Sequence, residues 1–252
     1  MNSENTNGKL TVIYPVTQGV GGKYVATNIA HVYKERFPEK KVALVDFDFK
    51  APYLAGYLTD NDKVHGIDNL IEKIDGGFLD DELFKENMVV MENGIELLKG
   101  TKLRNNHYFI EQKHMVEIVK FLRNMYDVVF ISVSTQADNA GTTSALFEAD
   151  ELIVVSRNDF TCYSIVDSAL EIANHYKKDE VVLKWVYNQY FEGSNLDFNG
   201  LIGENSLEVI GVVPFDKGTI DNRDLKGKAF GNIIKRKRQE TPFDEIVTNL
   251  GE

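Results

Sequence analysis

The chain has a single cysteine, Cys162, so an internal disulfide is excluded. Such usage fits a reducing compartment such as the cytoplasm, with Cys162 expected as a small buried helix residue. Long apolar runs are also missing. None approaches the ~18 residues of a membrane span, and the opening MNSENTNG is polar, unlike a signal peptide. Residues 1–8 read as a disordered lead-in. Positive charge is outnumbered, 28 Lys and Arg against 39 Asp and Glu, for a formal net charge of −11. That balance argues against broad non-specific DNA binding and leaves room for a local basic patch. The five histidines show no ligand spacing, and neither a zinc motif nor a Ser-His-Asp set is present. Internal repeats and low-complexity linkers are absent as well.

At 252 residues, 43% of them hydrophobic, the chain suits one α/β domain spanning 9–252 with a substantial core. Its organising stretch is Lys9 to Val32. Leu10, Val12 and Ile13 suit a strand, Gly19, Gly21 and Gly22 a turn, and Val25, Ile29 and Val32 one face of a helix. Strand, glycine turn and helix aim backbone N–H groups and a helix N-terminus at an anion, usually a phosphate. A strict phosphate loop, G-x-x-x-x-G-K-[ST], is nevertheless lacking: Thr17 stands in place of the first Gly, and Tyr24 follows Lys23.

Further strands are expected at Val42–Asp46, Ile95–Leu98, Asp127–Val133, Glu151–Val155, Val181–Tyr187 and Leu207–Val213. Helices are expected as short pieces between Tyr53 and Phe84, then over His107–Tyr126, near Thr142–Glu148, over Cys162–Tyr176 and at the C-terminus. This alternation predicts a doubly wound, mostly parallel sheet with helices on both faces. Asp46 and Asp48 end the second strand, at the edge where such sheets bind ligands; in isolation they read equally as solvated carboxylates.

Read together, these segments resemble the ParA/MinD family of ATPases, whose deviant phosphate loop runs K-G-G-V-G-K-T-T-x-x-x-N-L-A. Asn28-Ile29-Ala30 and Gly19-Val20-Gly21 set the register. Thr17 then replaces the signature lysine, Gln18 a glycine, Gly22 the phosphate-loop lysine and Lys23 the Mg²⁺-binding threonine. Gly66 to Ile71 is similar to the family's G-L-x-D-L-L, and Asp46-Phe47-Asp48 to its D-x-D. The degenerate motifs resemble most the CpaE/TadZ-like branch, associated with pilus and secretion machinery.

The resemblance implies a P-loop NTPase-like fold and an ATP or ADP site. Gly19, Val20, Gly21, Gly22, Lys23 and Tyr24 form its loop, with Asp46 near the metal shell and Asp48 positioning the attacking water. The family's Y-D-x-V-I-I-D ends here in Ser132, so Mg²⁺ is doubtful, a neutral serine being a poor ligand for a hard cation. Asp138 reads as a turn residue, the alternative being a carboxylate that restores the lost one. Val186-Tyr187-Asn188-Gln189-Tyr190 resembles the family's V-L-N-x-x, whose Asn amide faces adenine, and Gly211-Val212-Val213-Pro214-Phe215-Asp216 its G-V-I-P-x-D, whose main chain borders the base.

The function implied is a cytoplasmic, adenine-nucleotide-binding positioning or assembly protein with weak or lost hydrolysis. Its partner would belong to a pilus, secretion or partition system, and a homodimer is possible. The alternatives are a working ATPase with unusual ligands and a scaffold that binds no nucleotide. Lys235-Arg236-Lys237-Arg238 is a solvated helix face or a contact to DNA, anionic lipid or an acidic partner.

Overall fold

In the computed structural model, residues 7–61, 63–64, 66–102, 104–194, 196, 200, 203, 207–218 and 240–251 are described. Lys235–Arg238 lies outside them. Eight strands form one sheet: β1 (Lys9–Pro15), β2 (Val42–Phe47), β3 (Met88–Val90), β4 (Glu96–Leu98), β5 (Val128–Val133), β6 (Glu151–Ser156), β7 (Leu183–Tyr190) and β8 (Glu208–Pro214). Their order is β3-β4-β2-β5-β1-β6-β7-β8, and only β3 runs antiparallel to its neighbour. The described helices are α1 (Gly22–Arg36), α2 (Leu54–Leu58), α3 (Ile67–Asp75), α4 (Asp81–Glu86), α5 (Gln112–Met125), α6 (Ala140–Glu148), α7 (Phe160–Tyr176) and α8 (Pro242–Leu250).

Every residue of β2 and β5 is buried, as expected of parallel strands covered on both faces. Helix α1 packs on β1, β2 and β5 and against α8, while α6 meets the same three strands and lies against α5 and α7. The C-terminal ends of β1, β2, β5, β7 and β8 thus converge on the loop that enters α1. The fold is the expected doubly wound one.

Three details depart from expectation. Residue 8 is not part of a loose lead-in: Gly8 is buried, its N–H donates to Arg123 O (2.8 Å) and its carbonyl accepts from Arg123 Nη1 (2.9 Å). The helix expected from His107 begins later. A 3₁₀ turn at Arg104–Phe109 precedes α5, whose N-cap Glu111 donates its N–H to His114 Nδ1 (2.9 Å), a reciprocal cap that fixes the start there. The strand expected from Val181 starts at Leu183 and runs to Tyr190.

His31, buried in α1, is paired through Nδ1 with Asn93 (2.5 Å), and its Nε2 has no hydrogen-bond partner among the described residues. Burial lowers its pKa from 6.5 to about 4. A base depressed on folding is neutral in the native state and protonated in the unfolded one between those values. Stability is therefore full above pH 6.5 and lost as pH falls toward 4, by about 3 kcal/mol at 1.36 kcal/mol per pKa unit. Urea unfolding at pH 7 and pH 4 measures this, and His31→Leu is expected to remove that part of the decline.

Candidate functional site

The loop between β1 and α1 turns on two left-handed glycines, Gly19 (φ +81°) and Gly21 (φ +87°). At Gly21 a side chain is excluded twice, because a Cβ would also sit 2.3 Å from Asn188 Nδ2. Gly22, in the register of the phosphate-loop lysine, packs its α-carbon on Pro15; a Cβ there would lie 3.2 Å from the proline ring. Helix α1 opens without a side-chain cap and without an acidic residue in its first turn. Its first N–H groups and the positive end of its dipole therefore face the loop's concavity. That concavity is a cavity of about 480 Å³ lined by the loop, Lys23, Tyr24, Asp48, Tyr53, Tyr57, residues 132–135, Asn188, Gln189, Pro214 and Asp216.

On the cavity floor lies an ion-pair cluster. Lys23, the second residue of α1, is 6% exposed and places Nζ 2.7 Å from Asp46 Oδ1 and 3.1 Å from Asp48 Oδ2. Asp46 is fully buried at the end of β2 and also accepts N–H groups from Leu54 (3.0 Å) and Asp48 (3.3 Å). Asp48 Oδ1 accepts the Ala51 N–H (3.2 Å). Burial alone would lower the Lys23 pKa; the charges of Asp46 and Asp48 outweigh it, so the net direction is upward and the ammonium is kept. Burial likewise pushes Asp46 up, and the Lys23 ammonium is the largest influence pulling it back. The Tyr53 ring centroid lies 5.0 Å from Nζ, within cation–π range.

This cluster decides whether a divalent metal fits. Magnesium needs a near-octahedral shell of oxygens at about 2.0–2.1 Å. Here an ammonium stands at residue 23, where the resemblance implies a hydroxyl's place, and already bridges the two carboxylates. Across from Asp46, the paired position on β5 is Ser132, buried and neutral. Asp138 gives no substitute, being ion-paired with Lys50, which also donates to Gln136 Oε1 (2.7 Å). Among the described residues no group of three His, Cys, Asp or Glu side chains is gathered for a metal. The residues present do not fit Mg²⁺. Asp46, expected near a metal shell, and Asp48, expected beside an attacking water, are both engaged by Lys23.

At the other wall, Asn188 is 1% exposed and donates Nδ2–H to Val20 O (2.7 Å), tying β7 to the loop. Its Oδ1 is buried with no hydrogen-bond partner among the described residues. The adjoining Gln189 has φ +56°, left-handed for a non-glycine, at an irregularity in the β7–β8 ladder. Such a bulge re-aims its neighbours and stores strain of the sort found at binding sites. Pro214 ends β8 on the same wall, and Tyr24 rests edge-on against Phe243 of α8 (5.6 Å).

Gln189 and Asp216, which fall within the two segments read as the base side, line the cavity, whereas Tyr53 and Tyr57 were not legible as site residues. The four-residue spacing of Tyr53 and Tyr57 just after Asp48 is the one available signal, and their rings meet edge-on at 5.8 Å. Cys162 is buried in α7, as expected. No helix among the described residues is long and apolar enough to cross a membrane.

No family model matches the sequence, and no curated protein does. Solved structures match over nearly the whole chain. A ParA family ATPase from Chlorobium tepidum TLS aligns with TM-score 0.78 at 16% identity, covering 96% of this chain and 98% of its own. MinD from Pyrococcus horikoshii OT3, complexed with Mg-ADP, aligns at 0.74 and 15%, covering 97% and 96%. The MinC:MinD cell division complex of Aquifex aeolicus aligns at 0.71 and 18%, covering 97% and 96%. The chain therefore has the P-loop NTPase fold of the ParA/MinD ATPases.

Proposed function

We propose that this is a single-domain (9–252), cytoplasmic positioning or assembly protein that binds ATP or ADP in the cavity and hydrolyses it weakly or not at all. The observation that carries this reading is the Lys23 ammonium held between Asp46 and Asp48 on the floor of an otherwise open phosphate loop. The loop and the uncapped α1 N-terminus supply main-chain donors for phosphate, while the groups that would organise metal and water are engaged with one another. The Mg-ADP bound by the Pyrococcus relative lends support to a nucleotide, and the MinC:MinD complex to a protein partner. In this reading the partner belongs to a pilus, secretion or partition machine, as in the CpaE/TadZ-like branch. The run Lys235–Arg238 is then a contact to DNA, anionic lipid or that partner.

A second reading, a scaffold without nucleotide, draws on the same cluster. One ammonium against two carboxylates leaves the floor with a net negative charge, which opposes phosphate. Equilibrium titration with a fluorescent ATP analogue separates the two, saturable binding supporting the first and none the second.

The base side makes a sharper demand. With Nδ2 committed to Val20, the Asn188 amide has an acceptor left, Oδ1, which suits the 6-amino group of adenine and opposes the 6-oxo group of guanine. Adenine nucleotides are expected to bind at least about tenfold tighter than guanine nucleotides, equivalent to ~1.4 kcal/mol. Competition titration checks this, and Asn188→Ala should erase the preference. Thr17 carries no charge to extend across a subunit boundary, so any homodimer is expected to form through shape and apolar contact without ATP. Light scattering with and without nucleotide checks that; a dimer appearing only with ATP contradicts it.

A further inference from the structure

We infer that the Lys23 ammonium is a permanent, chain-tethered cation in the place of a divalent metal, so that this site takes up no metal of its own and engages its phosphate ligand without one. The nucleotide arm of this inference rests on the reading just given; the metal arm does not.

The placement supports it from three sides. Residue 23 lies in the first turn of α1, next to the loop's last glycine, and its Nζ reaches the carboxylates at the end of β2 and at the start of the following loop. Each carboxylate is oriented by main-chain donors besides, Asp46 by Leu54 and Asp48, and Asp48 by Ala51. The ring of Tyr53 closes over the ammonium. A second cation at this spot would meet both the ammonium's charge and carboxylates already engaged by it and by main-chain donors. An ammonium is a compact point charge with three donors, so it bridges two carboxylates and can still turn a proton toward a phosphate oxygen. It differs from a metal in being covalently attached. The β2–α2 loop is therefore fastened to α1 whether or not a ligand is bound, an order that a metal–nucleotide complex would impose only on binding.

The test uses Mn²⁺ alone, followed by the loss of the free-ion EPR signal on titration with protein. Wild type is expected to take up no Mn²⁺ at this site at millimolar concentration. Lys23→Ser, which frees Asp46 and Asp48, should bind one ion at least about tenfold more tightly than any residual uptake by wild type, and Lys23→Ser/Ser132→Asp more tightly again. If Lys23→Ser folds only in the presence of Mn²⁺, by circular dichroism, one cation has replaced the other and the inference is supported. Uptake of one Mn²⁺ by wild type that Asp46→Asn abolishes would overturn it, as would a folded Lys23→Ser that gains no ion. Wild type titrated with a fluorescent ADP analogue adds an arm that needs no variant. Affinities in EDTA and in Mg²⁺ within about threefold support the inference, and binding at least tenfold tighter with Mg²⁺ overturns it. Absence of nucleotide binding in both refutes the nucleotide reading, and the Mn²⁺ arm then decides this inference alone.

Discussion

Incubated with ATP and Mg²⁺, the protein is expected to release phosphate at least about 10⁴-fold more slowly than an intact ATPase of the same fold. Phosphoryl transfer depends on positioned cations and an oriented nucleophile rather than on covalent chemistry by the protein. Losing one preorganised stabilising group costs roughly 10²–10³ in rate. In the register of the resemblance, Thr17 and Gly22 stand for lysines, residue 23 offers an ammonium for a hydroxyl, and residue 132 a serine for a carboxylate, so four such groups are changed. Groups that act as a unit are not additive, so a loss far below the product of the four, about 10⁴, is the one to expect. Asp48, which could orient water, is hydrogen-bonded to Ala51 and ion-paired with Lys23. A phosphate-release assay decides. Turnover comparable to an intact ATPase, abolished by Asp48→Ala, contradicts the expectation.

Removal of the ammonium has the second large consequence. Lys23→Ala is expected to destabilise the fold by about 3–5 kcal/mol, the cost of breaking a buried pair from one side. The size follows from burial: Asp46 is fully inaccessible and would lose the ammonium that offsets its desolvation, keeping main-chain donors alone. For a chain of this length that corresponds to a melting temperature lower by roughly 6–20 °C. Lys23→Met/Asp46→Asn, which removes both charges and keeps the volume, should recover most of the loss. Urea unfolding of the three proteins gives the comparison. A loss below about 1 kcal/mol for Lys23→Ala would place the contact with ordinary exposed ion pairs and contradict its burial.

Strands buried on both faces were easy to read in the sequence, because Val42 to Phe47 and Val128 to Val133 are nearly continuous apolar runs. The antiparallel edge strand Met88–Val90 was not: three residues carry no period, and its pairing depends on Glu96–Leu98. The helix that begins at Gln112 shows the same limit at a boundary. Apolar spacing continues upstream of it, and the reciprocal contact of Glu111 and His114 sets the start.

In the site, glycine spacing pointed to the loop because positive φ leaves few other choices. The tie from Asn188 to Val20 and the bulge beside it could not be read, since both depend on pairing between segments far apart in sequence. Tyr53 and Tyr57 were hidden for a simpler reason. Nothing local distinguishes a tyrosine covering an ammonium from one facing solvent. The register alone placed Lys23 at the metal position; that it bridges both carboxylates is a fact of three dimensions.

The most direct test of a tethered cation serving this site is calorimetric titration of the wild-type protein with ADP, once in excess EDTA and once in Mg²⁺. Saturable binding is expected in both, with dissociation constants within about threefold of each other. Binding that disappears in EDTA, or strengthens tenfold or more with Mg²⁺ (~1.4 kcal/mol), would mean that a metal still does what Lys23 is held to do.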